Sequence, residues 1–214
     1  MNRTKIIQIL IDNPKSWMWD YINDLEKIIE DFGIKPIIRS KHSDIIQGDI
    51  LILLSCQSIF KKLHLNKHNL VVHESDLPKG KGFSPLTWQI IEGKDQIPIT
   101  IFEANEKIDS GKIYFKDIIK LEGHELIDEI RKKQAAATFN LIKKYLQKEP
   151  EGIVQKGTES FYERRNKKDS ELDINKTIFE NFNLLRVVDN DRYPAYFKIN
   201  NSKYIVQIFK DEKK

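Results

Sequence analysis

A chain of 214 residues, 40% hydrophobic and 32% charged, carries enough apolar material for one core, or one core with a small appendage. Thirty-six basic against 32 acidic residues leave a net charge of +4. The lysines are spread along the chain rather than clustered among aromatics, which argues against nucleic acid and suits an anionic small substrate. One cysteine, Cys56, excludes an internal disulfide and a cysteine-based metal cluster.

Ile6–Ile11 is a β-branched run closed by Asp12-Asn13-Pro14, which reads as a buried strand and a turn. It is too short for a membrane span or a signal peptide, so a cytoplasmic protein with no membrane partner is expected. From Trp17 to Phe32 the apolar residues fall at helical spacing, with Gly33 placed to end the helix. Ile34–Ile38 reads as a second strand, and Asp49–Leu54, apolar on both faces, as a central third. Cys56, just beyond it, reads as a small core residue. Gln57–Leu63 is expected to be a short helix, and Leu70-Val71-Val72 a fourth strand ending on His73.

This alternation predicts an α/β fold, a Rossmann-like, doubly wound and mainly parallel sheet. Ligands bind such sheets at the carboxyl ends of their strands, where His73 stands. No G-x-G-x-x-G follows the first strand, so a dinucleotide site loses its main support. Ser84 to Gly93 reads as a helix with Ser84 as cap and Pro85 in the first turn. Ile97–Phe102 and Lys112–Ile119 look like a hairpin whose connection carries Asp109-Ser110-Gly111. His124–Leu146 is the longest helical pattern, with Leu126, Ile130, Ala137, Leu141 and Tyr145 on one side, and Glu149-Pro150 breaks it.

Beyond residue 153 come an aromatic-plus-basic loop from Phe161 to Asp169, a helix over Ile174–Val188, and a hairpin turning at Asn200-Asn201. Asp211–Lys214 reads as a frayed tail. The division expected is a catalytic domain over 1–150 and a small α+β appendage, a substrate-binding extension, over 151–214.

A histidine at a strand end can accept a proton or stabilise a developing oxyanion, and a carboxylate beside it fixes its orientation. His73 and Asp109 are therefore a candidate acid/base pair for attack on a carbonyl carbon. Ser75 is placed to hydrogen-bond within the loop, while Pro78 and the glycines let backbone approach a ligand closely. Taken singly, His73 equally reads as a satisfied turn residue and Asp109-Ser110-Gly111 as a plain turn. Their joint occurrence, around a proline–glycine loop and a capped helix, points to chemistry.

His73, Ser75, Leu77, Pro78, Gly82, Pro85, Trp88, Gly93, Thr100, Asp109 and Gly111 occur here in order. In this the chain resembles the N10-formyltetrahydrofolate-dependent formyltransferases, whose pattern runs Asn-x-His-x-Ser-Leu-Leu-Pro, then a glycine, a helix-opening proline and Asp-x-Gly. The resemblance implies the formyltransferase fold, N10-formyltetrahydrofolate as co-substrate and no metal. It implies that His73, as the imidazolium, stabilises the oxyanion while Asp109 orients it and helps the amine proton leave. Leu77, Pro78, Gly82, Pro85 and Ile108 would line the folate site. One position departs: the family's asparagine, two residues before the histidine, is Val71. Asn69 lies roughly 6–7 Å back along the strand; Ser55 and Gln57, at the end of the neighbouring strand, are candidate replacement donors.

Phe161-Tyr162-Glu163-Arg164-Arg165 and Tyr193-Pro194-Ala195-Tyr196 resemble elements of the nucleotide-sugar N-formyltransferases. This implies a nucleotide-linked amino-deoxy sugar as partner, a UDP-4-amino-4,6-dideoxy-N-acetyl sugar of the pseudaminic-acid type being the narrower expectation. Arg164, Arg165, Lys79 and Lys81 would meet its diphosphate, with Trp88, Tyr162 and Tyr193 as further contacts. The basic loop also reads as a solvated surface, and the Tyr193 element as hairpin packing. A different amine, on a ribonucleotide or tRNA, and a folate-binding homologue without turnover are the alternatives. By analogy with the sugar enzymes, a homodimer is expected.

Overall fold

Runs of Ile, Leu and Val bounded by polar turns become the strands of a six-stranded sheet in the computed structural model, which describes residues 5–211. Of the tail read at 211–214, all but Asp211 lies outside the described residues. Strands β1 (Ile7–Leu10), β2 (Ile37–Arg39), β3 (Gly48–Leu53) and β4 (Asn66–His73) run parallel in the order β2-β1-β3-β4. A two-residue strand, β5 (Lys81–Gly82), stands apart. Next, β6 (Gln96–Glu103) pairs antiparallel with β4, and β7 (Ile113–Lys120) antiparallel with β6. The sheet is mainly parallel, as the alternation of elements predicts.

Ile7, Ile9, Ile50, Ile52, Leu70, Ile97, Ile99 and Ile101 share the larger core with two helices, α1 (Ile22–Glu30) and α2 (Pro85–Ile91), and a third, α3 (Ile127–Lys148). On the opposite face Leu10, Leu51, Leu53 and Val71 pack against Ile45, Phe60, Leu63 and Leu65. Removing both faces of a strand from water explains why β3 is apolar at successive positions from Ile50 to Leu53 rather than alternately.

Several boundaries differ from expectation for local reasons. The helix over 17–32 begins as a 3-10 turn, Trp17–Tyr21, because the Ser16 hydroxyl accepts from Met18 N–H and the Trp19 indole N–H donates to the Asn13 carbonyl. Strand β2 starts only after Pro36, which has no N–H to offer a ladder. Gln57–Leu63 is not a helix. Asp12 takes the N–H groups of Gln57 and Ser58, Ile59 finds no cover, and the segment is too short to repay helix nucleation; only Leu63–Leu65 makes a 3-10 turn.

Ser84 precedes α2 in a left-handed conformation (φ 50°), and its hydroxyl makes no capping bond. In α3 the first turn is delayed to Ile127, where Glu129 accepts from Leu126 N–H; Ile130, Leu141 and Tyr145 are buried, whereas Leu126 and Ala137 are only half-buried. Pro150 forbids further helix.

The chain then returns across the sheet's carboxyl end. Strand β8 (Phe161–Tyr162) pairs in parallel with β5. Helix α4 (Ile178–Leu185) is shorter than the 174–188 expected, since Thr177 and Glu180 form a reciprocal capping box that fixes its start. Strands β9 (Ala195–Ile199) and β10 (Ser202–Val206) make the hairpin, Asn200 taking the left-handed turn position. Leu185, Val188 and Ala195 form a small core of their own, while Val187 joins the larger one.

Cys56 is half-buried against the second cluster, with its thiol directed at the Leu10 carbonyl. Desolvation, reinforced by the nearby charge of Asp12, pushes the thiol up to about 12, which makes it a poor nucleophile at neutral pH.

Candidate active site

The carboxyl end of β4 delivers His73 into a pocket of backbone. The imidazole is buried, because the loop that follows folds over it. Its Nε2 donates to the Gly80 carbonyl at 2.9 Å and stands 3.7 Å from Asp109 Oδ2. A carbonyl can only accept, so Nε2 carries the proton.

Asp109 arrives from the β6–β7 connection in a left-handed conformation, φ 48°. Its Oδ2 also accepts from Gly82 N–H at 2.9 Å. The sequence-predicted pair is thus brought together. Gly82 itself has φ +99°, and a Cβ there would sit 2.3 Å from the Tyr162 carbonyl. Only glycine lets β5 approach β8 this closely. Gly111 is tighter still: a Cβ would fall 1.6 Å from the Glu103 carbonyl oxygen. Gly111→Ala is therefore expected to cost at least about 3 kcal/mol, beyond the usual range for overpacking. Urea titration checks this, and a loss under about 1 kcal/mol would show that the turn yields freely.

Ser75 is buried, but its hydroxyl makes no hydrogen bond among the described residues; its backbone holds the loop instead, N–H to the His73 carbonyl and carbonyl to the Thr100 hydroxyl. The hydroxyl role expected for it is therefore not seen. Leu77 is buried, Pro78 half-buried and Pro85 buried at the start of α2, while Ile108 is exposed. Val71 packs in the second cluster between Leu53 and Phe102. Asn69 is no substitute, since its amide donates to the Leu63 carbonyl. Ser55 accepts from the Ser16 hydroxyl, and Gln57 is exposed with its N–H on Asp12; neither hydrogen-bonds to His73.

Among the proposed anion contacts, Lys79 is exposed. Lys81 is not available: its ammonium is 1% exposed and is spent on Ser110 Oγ (3.0 Å) and Glu159 Oε1 (2.7 Å). Arg164 lies over the Phe83 ring at 4.2 Å, and Arg165 donates to the Asp169 carbonyl and Ser170 hydroxyl. The Trp88 indole N–H is occupied by the Glu163 carbonyl, and the Tyr162 hydroxyl by Glu92. Tyr193 is half-exposed near Ser170, with no hydrogen bond to the His73 or Asp109 loops.

Four residues escaped the sequence reading. Glu74 follows His73 and accepts from Gln134 Nε2 at 2.7 Å, while its carbonyl accepts from Gln89. Burial pushes the Glu74 carboxyl up, against the opposing influence of His73 and Gln134. Gln155 donates to both the Asp109 and Gly111 carbonyls, and Ser160 binds the Gly80 N–H through its hydroxyl. Glu159 is the fourth. No local motif marks them, because each matters only through contacts distant in sequence. Among the described residues no group of His, Cys, Asp and Glu has the arrangement of a metal site, and no helix is long and apolar enough to cross a membrane.

A family model described as formyl transferase matches residues 41–146, the stretch holding both His73 and Asp109. A methionyl-tRNA formyltransferase of Lactobacillus acidophilus is 30% identical over 140 residues, covering 63% of this chain and 44% of that protein. The chain spans about half or less of the length of the curated relatives it matches. Among solved structures, a methionyl-tRNA formyltransferase from Clostridium thermocellum superposes with a TM-score of 0.81 at 22% identity, over 99% of this chain and 96% of that one. A 4-N formyltransferase from Francisella tularensis gives 0.72 at 19% identity, over 95% and 97%. At these identities the structures speak for the shared fold.

Proposed function

Because the chain belongs to the formyl transferase family through residues 41–146, we propose that it moves a formyl group from N10-formyltetrahydrofolate to a primary amine. The observation that carries this reading is the buried His73–Asp109 contact at 3.7 Å, at the carboxyl end of a central strand. The amine nitrogen bonds to the formyl carbon, the bond to N10 breaks, and the proton lost by the amine ends on N10. Nε2 is committed to the Gly80 carbonyl and the Asp109 side, which leaves Nδ1 of the imidazolium to meet the oxyanion. Asp109 holds that orientation and helps draw off the amine proton. With Val71 where the family has its asparagine, stabilisation of the oxyanion rests on His73. The loop from Leu77 to Pro85, closed by Gly82, and the exposed Ile108 are the folate-facing surface.

For the amine we favour a nucleotide-linked amino-deoxy sugar, a UDP-4-amino-4,6-dideoxy-N-acetyl sugar as the narrower choice, held by residues 151–214. The pairing of β8 with β5 supports this, because it brings Phe161–Arg165 against the loop that follows His73. Lys79 and Arg164 are exposed there for a diphosphate. The likeness to methionyl-tRNA formyltransferases favours a second reading, an aminoacyl-tRNA amine. Calorimetric titration with UDP and with dTDP separates the cases. Micromolar binding of one nucleotide is expected, and failure to bind either removes the sugar reading. Retention of tRNA with a steep salt dependence would favour the second. Formyl transfer is followed as tetrahydrofolate release with a panel of amines; release with none of them would overturn the activity itself.

A further inference from the structure

Asp109 is a non-glycine residue in a left-handed conformation at the proposed reaction centre, which persists only where the surroundings over-determine it. The loop itself contributes little: Lys107 N–H turns back to Asn105 and the Ser110 hydroxyl to Ile108. Gly82 N–H and the Lys81 ammonium hold side chains of the turn, and the hold on its backbone carbonyls comes from a segment outside the family match. Ile153 exchanges both backbone hydrogen bonds with Ile113 at 2.8 Å, which anchors the strap beside the 109–111 turn. Two residues on, Gln155 Nε2 donates to the Asp109 carbonyl at 2.9 Å and the Gly111 carbonyl at 2.8 Å. Among the described residues these are the two carbonyls' hydrogen bonds. The amide oxygen Oε1 is buried and, among the described residues, has no hydrogen-bond partner. The amide is thus oriented for its donors, since a flip would set oxygen against two carbonyls.

We propose that Gln155 is a positioning residue for the transfer, holding the Asp109 carboxylate at His73 and the Gly82 N–H by clamping the turn from behind. The proposal rests on the reading of this site as a formyl-transfer centre. It goes beyond it in assigning a role to a side chain that touches neither His73 nor the reacting groups. The expected signature is a fall in turnover without a change in folate affinity, because the folate-facing loop is held by other bonds, Gly80 N–H to Ser160 and Lys81 N–H to the Ser160 carbonyl.

Gln155→Met removes both donations at similar bulk, and Gln155→Glu places a carboxylate against the two carbonyls. In folded Gln155→Met, kcat is expected to fall at least tenfold with KM for the folate within twofold, and hydrogen exchange of the Gly82 amide, read by NMR, to quicken about tenfold. In Gln155→Glu the loss relative to wild type should shrink as pH falls and the carboxyl regains a proton to donate, which a packing defect would not do. A kcat within twofold of wild type, or a fall with Gly82 exchange unchanged, overturns the assignment. A wild-type chain that transfers no formyl group would sink the functional reading instead, and Gly82 exchange would then decide the clamp alone. Should Gln155→Met not fold, the pH profile of Gln155→Glu carries the test.

Discussion

His73→Ala lowers the rate of formyl transfer by roughly 10²–10³, the usual consequence of removing one oxyanion donor, while the variant still folds. The imidazole is the side chain presented at the strand end, and nothing else described there is placed to replace it. Asp109→Asn is expected to be comparably slow for a different reason. With its amide oxygen in the Oδ2 position it still accepts from Gly82 N–H and faces Nε2 of His73, but it brings no negative charge to favour an imidazolium or to draw off the amine proton. Groups that act as one unit are not additive. The double variant should therefore lose little more than the worse single one. Initial rates of tetrahydrofolate release, with circular dichroism melts as the folding control, check all three. Near-wild-type turnover in folded His73→Ala would remove the assignment.

The largest stability effect is expected at Arg186. Its guanidinium is 1% exposed and donates to the Glu125 carboxylate (2.7 Å), the Glu125 carbonyl (3.1 Å) and Asp95 (3.2 Å). Glu125 also accepts from the N–H groups of Glu122 and Gly123 and from Lys133. Arg186→Met leaves that carboxylate buried with a partner missing, which costs about 3–5 kcal/mol. For a chain of this size that is a fall in Tm of roughly 10 °C; a shift within about 2 °C would refute it. Acid gives a second check. Burial alone would raise the Glu125 carboxyl, but the Lys133 ammonium and the backbone N–H donors outweigh it and hold the group at about 2. A depressed carboxyl contributes stability above its unfolded value, about 4.3. That contribution drains away as pH falls from there towards 2. Glu125→Gln should lack this part of the acid transition.

The central sheet was legible because its strands are short apolar runs separated by helical spacing, and that pattern follows from burial on both faces. His73 and Asp109 were legible because a motif of fixed order carries them. Helix ends were read less well: Thr177 with Glu180 fixes α4, yet the apolar residues at 174 and 188 invite a longer helix. Gln57–Leu63 misled because its composition suits a helix while Asp12, distant in sequence, claims its N–H groups. Lys81 reads as a surface cation until Glu159, 78 residues on, is seen to bury it. What a local pattern cannot carry is the partner supplied from far along the chain.

That separation bears on how the molecule is made. A ribosome releases the His73 loop and the Asp109 turn well before Gln155, Glu159 and Ser160 emerge, so the nascent chain holds every reacting group while lacking the bonds that aim them. The centre is completed only once the strap over residues 153–160 has emerged. A fragment cut at residue 150 would carry the family's signature and none of the strap that closes it.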